Sequence, residues 1–234
     1  MEEIIYNKVR NLFISYMSPK LTIGETIIKQ QKLLNQYKEM IPYLAKDEEK
    51  IRMYLAANAE ITENEYKLFV EDVEQVRMYL AYNEQLKNYP NIVQKLAVDS
   101  SLNVRISLAE CLDIRSYYGV TKALSEDSDK QVRLYLMKNE YFGCFEDIVH
   151  CYASRENRFF LALHPCIKKY PDIIESLLND EDERIRGSLA LNRCLVDFPE
   201  VVKKLEADES KVVKRNIKTK FYKTGKLEDG FSFK

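Results

Sequence analysis

Apolar residues recur along this chain in one six-residue phrase. It reads Ile51-Arg52-Met53-Tyr54-Leu55-Ala56, and returns at residues 76–81, 104–109, 132–137, 157–162 and 185–190, with a degenerate copy at 213–218. Successive copies start 25, 28, 28, 25, 28 and 28 residues apart. With the first residue called a, positions a, a+3 and a+4 (Val76, Tyr79 and Leu80 in the second copy) fall on one helical stripe and are expected to face a core. Three residues after the phrase's Leu stand Asn58, Asn83, Asn139 and Asn192. Asn tolerates the left-handed backbone that ends many helices, so these are expected to be C-terminal stops. Acid-bearing turns at Asp99, Asp127, Asp180 and Asp208 precede the next copy and are expected to cap its N-terminus.

A second apolar segment lies between copies, clearest at Tyr89-Pro90, Tyr170-Pro171 and Phe198-Pro199, each followed by paired Ile or Val and a Leu. Proline in a first turn followed by apolar residues marks a short helix start. Each unit is therefore read as two short antiparallel helices. Period and length together predict an all-α, right-handed α-solenoid of about seven helix pairs. It would form a single domain over 1–234: capping helices in 1–45, repeats in 46–220 and a tail in 221–234. On the first helix Ile5, Val9, Leu12, Phe13 and Tyr16 share a stripe.

Composition narrows the picture. At 46% hydrophobic and 31% charged, the 234 residues carry ample apolar material to order the chain. A net charge of −1 argues against a surface built throughout for nucleic acid or anionic membrane. Five scattered cysteines do not form a disulfide framework, and the opening Met1-Glu2-Glu3 has no basic leader. A cytoplasmic protein without a membrane span is expected.

The Asp…Val-Arg…Leu-Ala pattern resembles HEAT-like repeats, and Val-Arg-x-x-Leu-Ala-x-Asn resembles the leucine-rich-repeat variant family. The resemblance covers about residues 44–220, in units shorter than the roughly 40 residues of ordinary HEAT repeats. It implies an interaction scaffold without enzymatic activity or cofactor. The cysteine-rich iron–sulfur segment of some leucine-rich-repeat variants has no counterpart, since no cysteine precedes Cys111. HEAT-like alkylpurine DNA glycosylases share the architecture, but their base-contacting site uses tryptophan, and this chain has none.

Four features are candidates for function. Position a+1 is arginine in six copies: Arg52, Arg77, Arg105, Arg133, Arg158 and Arg186. With Glu71, Asp99, Asp127 and Asp180 six residues before an arginine, the row reads as the Asp–Arg ladder of HEAT repeats or, alternatively, as an anion-binding row. Position a+2 lies opposite the predicted core stripe and is apolar. Met53, Met78, Ile106, Leu134 and Phe159, with the i+4 neighbours Tyr82 and Leu163, are the candidate groove for a protein or peptide partner; tight winding would bury them instead. The fifth unit gathers His150, His164, Cys144, Cys151 and Cys166 without zinc spacing, so no metal site is assigned. Lastly, Arg155, Arg158, Lys211, Lys214, Arg215 and Lys218 form the basis of the alternative function, nucleic-acid binding; the basic C-terminal helix also reads as a solvated cap.

Overall fold

A computed structural model describes residues 2–17, 23–154 and 156–222. Those residues are all-helical, with no strand. The α-helices are α1 (Glu2–Tyr16), α2 (Ile23–Gln36), α3 (Ile41–Leu44), α4 (Glu49–Asn58), α5 (Glu63–Phe69), α6 (Glu74–Leu80), α7 (Pro90–Ala97) and α8 (Leu102–Cys111). They continue as α9 (Tyr118–Ser125), α10 (Lys130–Lys138), α11 (Glu146–Ala153), α12 (Arg158–Leu163), α13 (Pro171–Leu178), α14 (Glu183–Leu189), α15 (Pro199–Glu206) and α16 (Lys211–Tyr222). The six-residue phrase lies in α4, α6, α8, α10, α12 and α14, and its degenerate copy in α16. The proline-led segments are α7, α13 and α15, with α9 and α11 in the same place behind Tyr118 and Glu146. Between the two helices of most units runs a short 3-10 turn, such as Glu84–Asn88 or Arg193–Asp197. The unit thus has three pieces rather than two.

The chain divides into two compact units, residues 1–139 and 140–234. In the first, α4 packs on α6, α6 on α8 and α8 on α10, while α7 packs on both α8 and α9. In the second, α12 packs on α14 and α14 on α16, with α11, α13 and α15 adjoining in the same order. Each helix is short, six to ten residues for most, and such lengths are not stable alone in water. Burial against neighbours holds them.

The buried stripe differs from the one the pattern suggests. Position a (Ile51, Val76, Val104, Val132, Asn157, Ile185, Val213) and position a+4 (Leu55, Leu80, Leu108, Leu136, Leu161, Leu189, Ile217) are buried throughout. Position a+5 completes the core with Ala56, Ala81, Ala109, Met137, Ala162 and Ala190. Position a+3 does not belong to it: Tyr79 and Phe160 are exposed, and only the small Ser107 and Ser188 are buried there. Alanine is the reason. A small side chain at a+5 lets the next helix approach on that flank, which rotates the tyrosine flank outward. Each buried Leu or Val contributes about 1.5–3 kcal/mol.

The asparagines also work otherwise than expected. Among the described residues none has positive φ, so none of the asparagines is a left-handed stop. Asn83, Asn139 and Asn192 are extended (φ −73°, −61° and −70°); Asn83 and Asn192 stand just before a 3-10 turn and Asn139 is the C-cap of α10. Their side chains reach back one unit. Asn83 Nδ2 donates to the carbonyls of Ala56 (2.8 Å) and Ala59 (3.1 Å); Asn139 Nδ2 donates to those of Ala109 and Leu112 (both 2.9 Å). Asn192 Nδ2 does the same at Ala162 (2.8 Å) and His164 (3.1 Å). These are the carbonyls left orphaned at helix C-termini. Asn58 alone stays within its own helix, donating to the Tyr54 carbonyl.

The N-caps sit two residues beyond the predicted acids. Ser101, Asp129 and Asp182 accept from Val104, Gln131 and Arg184 backbone N–H groups. Asp99, Asp127 and Asp180 are thereby released for a different task.

Candidate functional site

Within each compact unit the a+1 arginines and the turn aspartates join one repeat to the next. Arg77 Nε donates to Asp99 Oδ2 at 2.7 Å and its Nη2 to Oδ1 at 3.0 Å, while Nη1 donates to the Asp72 carbonyl at 2.6 Å. Each guanidinium therefore bridges the turn before its own helix and the turn after it. The pattern repeats for Arg52 with Asp72, Arg105 with Asp127, Arg158 with Asp180 and Arg186 with Asp208, at 2.6–2.8 Å. Arg10 of α1 starts the series on Asp47 at 2.8 Å. Glu71, proposed for this row from its spacing, pairs with Lys95 instead, and Asp72 takes the rung. The shorter 25-residue unit shifts the acid by one residue.

The aspartates are held by more than arginine. Asp99, Asp127, Asp180 and Asp208 each accept the backbone N–H two residues on, at 2.8–2.9 Å. Arg186 beside Asp208 holds that carboxyl below its ordinary value, helped by the Ser210 N–H. Such bidentate, charge-assisted pairs saturate the fork of the guanidinium. Arg158 is thus committed to Asp180 rather than open to an anion. Arg155, named with it in the basic set, lies outside the described residues.

A third link comes from aromatic hydroxyls at the start of the second helices. Tyr89, Tyr117 and Tyr170 donate to the carbonyls of Ile61, Lys87 and Gly143, each 27–30 residues earlier.

The Asp–Arg and backward Asn links do not pass through the face carrying a+2, a+3 and a+6, although Tyr82 is hydrogen-bonded there to Ser107 of the next repeat. In α4, Tyr54 donates to the Ile27 carbonyl at 3.2 Å and meets Phe13 edge to face at 5.0 Å, so the N-terminal helices partly cover it. Further along unit 1, Met53, Met78, Ile106 and Leu134 are half-buried, and Tyr79 and Tyr82 are 42% and 49% exposed. In unit 2, Phe159 and Phe160 lie edge to face at 5.3 Å and are 37% and 45% exposed, with Leu163 half-buried beside them. The side chains the pattern assigned to a groove are therefore accessible in part. The a+3 aromatics Tyr79 and Phe160 belong with them and were missed because they had been given to the core.

Gly187 interrupts this row at α14 for a steric reason. A Cβ there would stand 3.3 Å from Asn216 Nδ2 and 3.7 Å from Val212, where α16 lies close and Asn216 donates to the Gly187 carbonyl.

The fifth unit keeps its thiols and imidazoles apart. Cys144 is exposed, Cys166 is buried, and burial pushes the Cys166 thiol up to about 12. His164 Nδ1 accepts the Cys166 N–H at 3.1 Å, taking the role asparagine has elsewhere. His150 faces the Glu146 carbonyl at 2.8 Å and Asp172 at 2.6 Å, tying α11 to α13. Among the described residues no group of three His, Cys, Asp or Glu side chains is placed to hold a metal ion. No helix among them is long and apolar enough to cross a membrane.

Compared with known protein families, curated proteins and solved structures, the chain matches none.

Proposed function

We propose that the chain is a non-enzymatic helical-repeat scaffold of the HEAT-like or leucine-rich-repeat-variant kind, each unit a stretch of right-handed α-solenoid, that binds a protein or peptide on its a+2/a+3/a+6 face. The observation that carries this reading is the division of labour around each first helix. One side is spent on the core, a second on the Asp–Arg and Asn links, and the remaining side carries the apolar a+2 row, broken at Gly187, with Tyr79, Tyr82 and Phe160 partly open beside it. Methionines and tyrosines there suit an adaptable groove for a partner helix. The competing nucleic-acid reading loses its arginine row, because Arg52, Arg77, Arg105, Arg158 and Arg186 are each engaged by a carboxylate.

The test replaces Met78, Tyr82 and Leu134 by Gln, Ser and Gln together, and compares proteins captured from the native cell with those held by the wild type. The expected result is loss of the specific partners, with helical circular dichroism intact and Tm within a few degrees. Unfolding of the variant would show that these side chains are core, and the groove reading would then fail.

A further inference from the structure

Helix α16 reverses the chemistry of the series it ends. At a+5, where the six earlier copies bury Ala or Met, α16 has Lys218, exposed. At a+2, where five carry apolar side chains, it has Arg215, also exposed. At a+1 it has Lys214, in the ladder position whose arginine donates to the carboxylate of the following turn. Lys211, Arg215 and Lys218 stand at i, i+4 and i+7, so they share one stripe opposite the buried Val213 and Ile217. None of the four cations forms an ion pair among the described residues, and residues 211–222 contain no acid. The nearby Asp208 is already held by Arg186 at 2.8 Å.

We propose that this stripe of α16 is a docking surface for a carboxylate-rich protein segment. Charge complementarity favours it: Arg52, Arg77, Arg105, Arg158 and Arg186 at a+1 are each met by a carboxylate from the following turn, while α16 presents Lys211, Arg215 and Lys218 exposed, with Lys214 half-buried near Asp208. Size favours it over nucleic acid. From Lys211 to Lys218 the stripe runs about 10.5 Å along the helix, whereas nucleic-acid affinity is commonly built from some 6–10 phosphate contacts. The chain's net charge of −1 gives it no overall positive field to draw in a polyanion. A short acidic helix with glutamates at i, i+4 and i+7 has the same rises, and its carboxylates would also relieve the repulsion among the three stacked cations. This surface is separate from the apolar face, so either can fail without the other.

The probe is a fluorescein-labelled twelve-residue peptide of glutamate and alanine, titrated by anisotropy against the full chain at low salt. Binding is expected that weakens as salt rises, and that falls by about tenfold or more in the K211E/R215E/K218E variant. The neutral K211Q/R215Q/K218Q variant, with its helical signal checked, shows the same direction if charge reversal disturbs folding. Affinity unchanged within about twofold in both variants would overturn the proposal. So would tighter binding of a twelve-residue oligothymidylate than of the peptide, which would return the stripe to phosphate recognition.

Discussion

Asn83 is the sharpest place to test how the units are joined. Its side chain is 5% exposed and makes four hydrogen bonds. Nδ2 donates to the Ala56 and Ala59 carbonyls at 2.8 and 3.1 Å; Oδ1 accepts from the Gln85 N–H at 2.9 Å and the Tyr66 hydroxyl at 3.0 Å. Truncation to Ala strips partners from a buried hydroxyl, a turn N–H and two helix-end carbonyls. A hydrogen bond contributes about 1 kcal/mol net, and a buried group left unmet costs about 1–3 kcal/mol. With some water entering the gap, Asn83→Ala should cost about 3–4 kcal/mol. Asn58→Ala, which loses one intrahelical bond, should cost about 0.5 kcal/mol.

Asn83→Asp separates the two roles of this residue. The carboxylate keeps the acceptor for Gln85 and Tyr66, and Asp is as good an N-cap as Asn. It cannot donate, and it turns an anionic oxygen toward two carbonyls. If the residue only caps the 3-10 turn, the variant stays within about 0.5 kcal/mol of wild type. If the backward donation to α4 matters, it loses about 3 kcal/mol or more at neutral pH. Urea unfolding followed at 222 nm gives both numbers from midpoint and slope. An Asn83→Asp midpoint equal to wild type would refute the asparagine link between units.

Three other outcomes are expected. Arg186 and then the Ser210 N–H depress the Asp208 carboxyl, so its stabilisation is present above the unfolded value near 4 and is lost as pH falls through the folded one; Asp208→Asn should flatten the acid limb of stability against pH. His150 is raised, first by the Glu146 carbonyl and then by Asp172, so its contribution is complete below about 6.5 and disappears as pH rises through the folded value; His150→Gln should remove a change of about 0.5 kcal/mol measured by thermal melts from pH 5 to 8. Gly143→Ala should cost about 1–3 kcal/mol in urea, because the added Cβ would meet Cys166 Cβ at 2.7 Å, while Gly119→Ala, with nothing within 4 Å, should be neutral or gain a few tenths.

Much of the helical architecture was readable in the letters, and the misreadings have physical causes. Proline-led starts predicted α7, α13 and α15 to the residue, because proline at N1 pins both φ and the position of the missing donor. The a and a+4 core followed from periodicity. Tyr79 was misplaced because a tyrosine at a+3 and an alanine at a+5 look equally compatible with a core until the approach distance of the next helix is known. The asparagines misled because helix stops and backward donors use the same residue at the same offset. Met78, Ile106, Leu134 and Phe159 could be set apart from the core because their stripe is angularly distinct, and they are half-buried or exposed. Arginine pairing was foreseen in kind but not in register, since a carboxylate twenty or twenty-two residues away leaves no local signal.

The copies within one chain say which positions serve the scaffold. A side chain that performs the same task in each unit should be the same in each unit, and arginine at a+1, leucine at a+4 and alanine at a+5 nearly are. Position a+6 is Ala57, Tyr82, Glu110, Lys138, Leu163 and Leu191, running from anion to cation to aromatic. Apart from the Tyr82 hydroxyl at Ser107, no arginine or asparagine link between repeats passes through it, so stacking imposes little identity there. Position a+2 varies less: apart from Gly187, where α16 lies close, it runs from Met through Ile and Leu to Phe. Replacing Glu110 and Lys138 by Ala should therefore leave the urea midpoint within about 0.5 kcal/mol of wild type, as for ordinary surface positions. The same change at Arg105, whose guanidinium holds Asp127 and the Asp99 carbonyl, should cost several times more. Equal costs at the two kinds of position would remove the distinction on which the proposed binding face rests.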